Sequence, residues 1–226
     1  YFLSALAGQQ RSVLCYFYSM RLDLSSLRKV HFIGIGGIGV SAIARLFLSE
    51  GKTVSGSDRE INSPVIGELK KLGAQIYRGH KAGQLPAGVD LVVHTTAVGP
   101  GNPEWQEAKH RGVPRLSYPE MLGQLTAGKY TIAVAGTHGK TTTTAMLAQI
   151  FRAAKLDPTV IVGSLLKPKS KNTSPTNLII GRSKFFIVEA CEYQRAFLNL
   201  SPRIPVITNI DNDHLDYYRD LADIQS

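Results

Sequence analysis

Gly136-Thr137-His138-Gly139-Lys140-Thr141-Thr142 stands between a β-rich apolar run, residues 130–135, and an apolar-periodic stretch, residues 141–154. A strand that turns through glycines directly into a helix gathers free backbone N–H groups and the positive end of the helix dipole in one place, where an anion is held. Gly-Lys-Thr adds an ammonium for terminal phosphates and a hydroxyl for Mg²⁺. The spacing is short. Two residues separate the glycines where the common phosphate loop has four, and Val134 takes the place of that loop's first glycine. Gly136, Thr137, His138, Gly139, Lys140, Thr141 and Thr142 therefore read as a nucleoside-triphosphate site.

Upstream lies a second glycine loop, Gly34-Ile35-Gly36-Gly37-Ile38-Gly39, which follows a β-rich run at 29–33. It opens a helical pattern at 40–48 that Gly51 closes. The loop matches G-x-G-x-x-G, in which glycines let the backbone approach a pyrophosphate. Asp58 ends the next strand, residues 53–57, where an acidic side chain can meet a ribose hydroxyl. Alone, this loop has two other readings: a tight strand-to-helix turn, or an NAD site.

Further strand-like runs fall at 91–94 and 113–116, and a linking helix at 119–125 is closed by Gly128. Beyond the second loop, runs recur at 159–162, 178–180, 185–188 and 205–208. Strands alternating with helices give an α/β fold with parallel sheets. The expected organisation is a Rossmann-like parallel-sheet domain over residues 28–128, followed by an incomplete P-loop ATPase domain over 129–226. Residues 1–27 read as an extension: the first Met is Met20, and 1–19 lack the basic start, unbroken apolar centre and cleavage site of a signal peptide.

The bulk composition excludes several classes. Of 226 residues, 43% are hydrophobic and 19% charged, enough apolar content for a core. The formal charge of +9 favours anionic partners. The basic residues are scattered, apart from Lys167, Lys169 and Lys171 beside Pro168 and Pro175, so phosphate-bearing small molecules are expected rather than nucleic acid. Cys15 and Cys191 have no metal-ligand spacing and suggest no disulfide framework. No apolar run approaches the roughly 20 residues of a membrane helix.

The shortened loop, extended through Thr143 and Thr144, resembles the ATP loop of the Mur ligases and folylpolyglutamate synthases. Four other segments also resemble the Mur ligases: residues 33–41, Thr95-Thr96-Ala97-Val98, Glu189-Ala190-Cys191-Glu192-Tyr193, and Asn209-Ile210-Asp211-Asn212-Asp213-His214-Leu215-Asp216. The resemblance runs from about Arg28 to the end of the chain. It implies an ATP-dependent, peptide-bond-forming ligase of peptidoglycan precursor synthesis in the bacterial cytoplasm, acting on UDP-N-acetylmuramic acid and L-alanine. Gly34, Gly36, Gly37, Gly39, Asp58, Thr95 and Thr96 would then hold the UDP-sugar.

By the same resemblance Lys140, Glu189 and His214 are catalytic, with Thr141, Glu189 and His214 as Mg²⁺ ligands. Lys140 would stabilise the transferring phosphoryl group. Thr141 and Glu189 would share the cation bridging two phosphates, and His214 a second one. Each has a plainer rival: Glu189 as a solvated strand end, His214 as an exposed loop residue, His138 as purely structural. Glu192 reads equally as a helper of the metal site or as exposed. Trp105, Tyr217 and Tyr218 read as packing residues, and His94 as the edge of a core. Many members of this branch carry an acidic residue where this chain has Cys191, which is expected to be buried and inert.

The resemblance also implies more of the central domain and a third domain beyond Ser226, so the chain alone is expected to be inactive. Three other readings remain open: a family member that recycles a murein tripeptide, a nicotinamide-dependent oxidoreductase, and a non-catalytic nucleotide binder.

Overall fold

A computed structural model describes residues 22–166, 176–212 and 217–225. Cys15, Met20, the Lys167 cluster and His214 lie outside the described residues.

Two five-stranded sheets follow one another along the chain. The first contains β1 (Lys29–Ile33), β2 (Thr53–Asp58), β3 (Gln75–Arg78), β4 (Leu91–His94) and β5 (Arg115–Ser117). Its order is β3-β2-β1-β4-β5 and every pairing is parallel. Four helices accompany it: α1 (Ile38–Ser49), α2 (Pro64–Lys71), α3 (Pro103–His110) and α4 (Tyr118–Thr126). Central β1 buries four of its five residues, as expected for a strand covered on both faces.

Local chemistry sets the helix starts. Ser63 accepts a hydrogen bond from the Ile66 N–H ahead of Pro64, and Asn102 accepts from Glu104 and Trp105 ahead of Pro103. A reciprocal Ser117–Glu120 box opens α4.

The second sheet contains β6 (Tyr130–Ala135), β7 (Thr159–Leu166), β8 (Thr176–Ile179), β9 (Phe185–Glu189) and β10 (Ile204–Ile207), in the order β10-β6-β9-β7-β8. It is mixed rather than wholly parallel, because β8 pairs antiparallel with β7. Helix α5 (Lys140–Ala153) follows β6, and the short α6 (Leu221–Gln225) comes last.

Helix α1 also touches β7 and β8, which explains why it is buried nearly all round. Its buried Arg45 donates to Glu68 Oε1 at 3.4 Å, to Thr176 Oγ1 at 3.0 Å and to the Asn177 side-chain carbonyl. The Asn177 amide in turn donates to the Ile38 carbonyl at 2.6 Å.

Most strands fall where the sequence places them, with β1, β4 and β6 matching at both ends. The run expected at 113–116 is shifted to Arg115–Ser117, and β7 extends four residues beyond the expected 159–162.

Candidate functional site

In an open α/β sheet, ligands gather at the carboxyl ends of the strands, where the strand order reverses. In the first sheet that point lies between β1 and β4. A cavity of about 920 Å³ opens there, with Gly34, Gly36, Gly37, Asp58, His80 and Thr95 in its wall. Gly34 has a φ of +77°, and a Cβ there would stand 2.5 Å from the Thr95 methyl, so only glycine allows loop and strand end to meet.

Asp58 faces this cavity and also closes the loop: Oδ2 accepts from the Gly36 N–H at 2.8 Å, and Oδ1 from the Glu60 N–H at 3.1 Å. Two residues expected in the site stand off the cavity wall. Gly39 faces the Tyr118 ring, which a Cβ would approach to 2.4 Å, and Thr96 is exposed outside the wall.

The second group of site residues assembles at the carboxyl ends of β6, β9 and β10. Gly136 has a φ of +124°, and a Cβ there would meet Thr208 Oγ1 at 2.3 Å. Gly139, left-handed at φ +83°, sits at the N-terminus of α5. The segment after β10 clasps this loop. Asn209 Oδ1 accepts from the His138 N–H at 2.9 Å, and the Asn209 amide donates to the His138 carbonyl at 3.0 Å. The Asp211 N–H donates to Thr137 Oγ1 at 2.9 Å. His138 therefore serves the loop through its backbone.

Thr141 Oγ1 donates to Glu189 Oε2 at 3.0 Å, and the Gly163 N–H donates to the same oxygen at 2.9 Å. The Lys140 ammonium donates to Gly136 O at 2.6 Å, Thr137 O at 3.2 Å and Glu192 Oε1 at 2.8 Å. Glu192 is buried, so its reading as an exposed carboxylate is corrected by this pairing. The Tyr218 hydroxyl fixes the Glu192 backbone by donating to its carbonyl at 2.5 Å.

Cys191 is exposed, not buried as expected, because it lies just past the end of β9. Its thiol is still held above its ordinary pKa, first by desolvation and then by the Glu192 and Glu189 carboxylates. The Tyr193 N–H and Lys140 pull the other way. A thiol so placed stays protonated at neutral pH and is a poor nucleophile.

Trp105 is half-buried in a satellite core, with the Arg115 guanidinium 4.7 Å from its ring centre, and Tyr218 is buried. His94 is half-buried at the end of β4, its Nδ1 3.0 Å from the Thr95 carbonyl. The sequence reading missed His31, His80 and Glu104, whose side chains meet beneath the first cavity.

Two successive α/β sheets, each with a glycine loop opening a helix at the carboxyl ends of its strands, put this chain in the nucleotide-binding α/β class. The chain belongs to the Mur ligase family. The family's catalytic domain matches residues 29–130 and its middle domain residues 134–226.

Among relatives, the UDP-N-acetylmuramate–L-alanine ligase of Clostridium tetani is 49% identical over 204 residues, covering 90% of this chain and 43% of its own length. The solved UDP-N-acetylmuramate–alanine ligase of Thermotoga maritima superposes with a TM-score of 0.74 at 35% identity, over 87% of this chain and 45% of that one. A murein peptide ligase from Psychrobacter arcticus gives 0.75 at 30% identity, over 84% and 44%. The chain thus spans less than half the length of the curated relatives it matches.

Proposed function

We propose that this chain is part of an ATP-dependent ligase that joins L-alanine to UDP-N-acetylmuramic acid through an acyl phosphate. The observation that carries the reading is the meeting of Thr141 and Glu189 beside the Lys140 loop. A carboxylate is a poor acyl donor. In the proposed sequence a carboxylate oxygen of the sugar substrate attacks the terminal phosphorus of ATP, and ADP leaves. The amine then attacks the acyl carbon, loses a proton, and expels inorganic phosphate.

Lys140 neutralises charge on the transferring phosphoryl group, exchanging its present contacts with Glu192 and two loop carbonyls for phosphate oxygens. The donor set of Thr141 Oγ1 and Glu189 Oε2 fits a hard cation, which prefers oxygen ligands. Mg²⁺ held there would neutralise phosphate charge. The roles of Thr137, Gly139 and Thr142 follow from their places in the loop, and His214 remains assigned by resemblance. Gly34, Gly36, Gly37, Asp58 and Thr95 hold the UDP moiety.

L-alanine is favoured as the amine by the 49% identity to a ligase of that name. A murein peptide as the amine is the second reading, supported by the superposition on a murein peptide ligase. A nicotinamide oxidoreductase accounts for neither the second loop nor the family. UDP-sugar and ATP as substrates place the reaction in the cytoplasm. Among the described residues, no helix is long and apolar enough to cross a membrane.

Titration of the chain with ATP, with and without Mg²⁺, tests the reading. We expect binding about tenfold tighter with the metal, with that increment lost in Glu189→Gln. Equal affinity with and without Mg²⁺ in the unmodified chain contradicts it.

A further inference from the structure

Beneath the first cavity lies a buried polar cluster that the phosphate chemistry does not use. Glu104, in the first turn of α3, is fully buried. Its Oε1 lies 3.0 Å from His31 Nε2, and its Oε2 lies 3.0 Å from His80 Nδ1. Ser57 Oγ donates to the same Oε2 at 2.5 Å and lies 2.9 Å from His80 Nδ1. His31 is fully buried as well, with Ser55 Oγ 2.8 Å from its Nδ1.

The partners fix where the protons sit. A carboxylate only accepts, so His31 Nε2 and His80 Nδ1 carry the protons of their contacts with Glu104. Ser57 has one proton and gives it to Glu104, so its oxygen can only accept from His80. That again places hydrogen on Nδ1. Of this cluster only His80 reaches the cavity wall. With Nδ1 turned inward, Nε2 is the ring nitrogen left for a ligand.

Burying such a set is costly compared with apolar side chains of the same volume, even with every partner supplied and the α3 dipole helping. A function that needs one fixed imidazole explains its presence. We infer that His80 contacts the nucleoside diphosphate of the sugar substrate through Nε2. Glu104, backed by His31 and Ser57, is the positioning residue that holds the ring in one orientation and one tautomer. The inference rests on the reading of this cavity as the UDP-sugar site.

The test is calorimetric titration of the chain with uridine diphosphate, with ATP as the internal control. His80→Phe keeps the ring shape but removes the nitrogens, and is expected to weaken uridine diphosphate binding about tenfold. Glu104→Gln swaps one acceptor oxygen for a donor and is expected to weaken it severalfold. Neither is expected to alter ATP binding. Nitrogen-15 NMR of the imidazoles reads the tautomer directly. His80 is expected to carry hydrogen on Nδ1 in the unmodified chain, and to lose that preference in Glu104→Gln. Unchanged uridine diphosphate affinity in His80→Phe, or hydrogen on Nε2 alone in the unmodified chain, overturns the inference while leaving the site reading intact. An unmodified chain that does not bind uridine diphosphate overturns both.

Discussion

The ammonium of Lys140 lies 2.8 Å from Glu192 Oε1, so the phosphate-loop lysine is held by a carboxylate of the neighbouring strand end. The Gly136 and Thr137 carbonyls take its other bonds, which folds the side chain back over its own loop. Both partners are mostly buried, at 16% and 11% side-chain exposure, so the pair competes directly with a triphosphate for the same ammonium. Replacing Glu192 by Gln is therefore expected to tighten ATP binding severalfold and to lower stability by about 1–3 kcal/mol, the cost of a mostly buried polar group losing its partner. Calorimetry with ATP and a denaturant titration check the two halves of that expectation. Weaker ATP binding would instead assign Glu192 to the metal site.

Arg45 joins the first domain to the second through Thr176 and Asn177. In Arg45→Met the Asn177 carbonyl loses that donor. Glu68 also loses its partner, but at 36% exposure it can turn to water. The expected cost is about 2 kcal/mol, that of a buried acceptor left without its donor. Denaturant unfolding of the variant is expected to separate into two transitions, visible by fluorescence and circular dichroism; a single undisplaced transition contradicts this.

Two glycines are expected to respond in opposite directions. In α1, Gly39→Ala drives a methyl into the Tyr118 ring, at a cost of about 1–3 kcal/mol. In α2, a methyl added at Gly67 would meet nothing within 4 Å, and Gly67→Ala is expected to stabilise by about 0.5–1 kcal/mol through helix propensity. Thermal melts of the two variants read both signs.

Asp90 clamps the start of β1, accepting from the Arg28 N–H at 2.7 Å and the Lys29 N–H at 2.8 Å. The Lys29 and then the Arg28 backbone bonds hold its carboxyl below the ordinary 3.8. A depressed folded-state pKa gives stability that is present above 3.8 and lost as pH falls through the folded value. Acid unfolding below pH 3.8 is therefore expected to be shallower in Asp90→Asn than in the unmodified chain, from a lower starting stability. Parallel acid limbs in the two proteins contradict this.

The sequence carried the alternation of strands and the two loops plainly, because glycine, lysine and threonine at a strand-to-helix turn are chemically distinctive. It did not carry α2, β3 or α3. Within α2 only Ile66 and Leu69 are buried, and β3 has no fully buried residue, so neither shows a strong apolar period. Helix α3 buries Ala108 and, against the usual pattern, the carboxylate of Glu104. From sequence, Glu104 reads as an ordinary acid in a first helical turn. Its partners His31 and His80 stand 73 and 24 residues away, and only the sheet brings them together. The pairing of Lys140 with Glu192, 52 residues apart, was hidden in the same way. Cys191 stands exposed because β9 ends at Glu189, two residues before it, a boundary the sequence does not mark.

The most direct test of the central claim is calorimetric titration of the chain with UDP-N-acetylmuramic acid, with NAD in parallel. The account predicts binding of the UDP-sugar and not of NAD, weakened when Gly36 is replaced by a bulkier residue that collides with Asp58, whose Oδ2 would lie 2.9 Å from the new Cβ. Binding of NAD without binding of the UDP-sugar would contradict it.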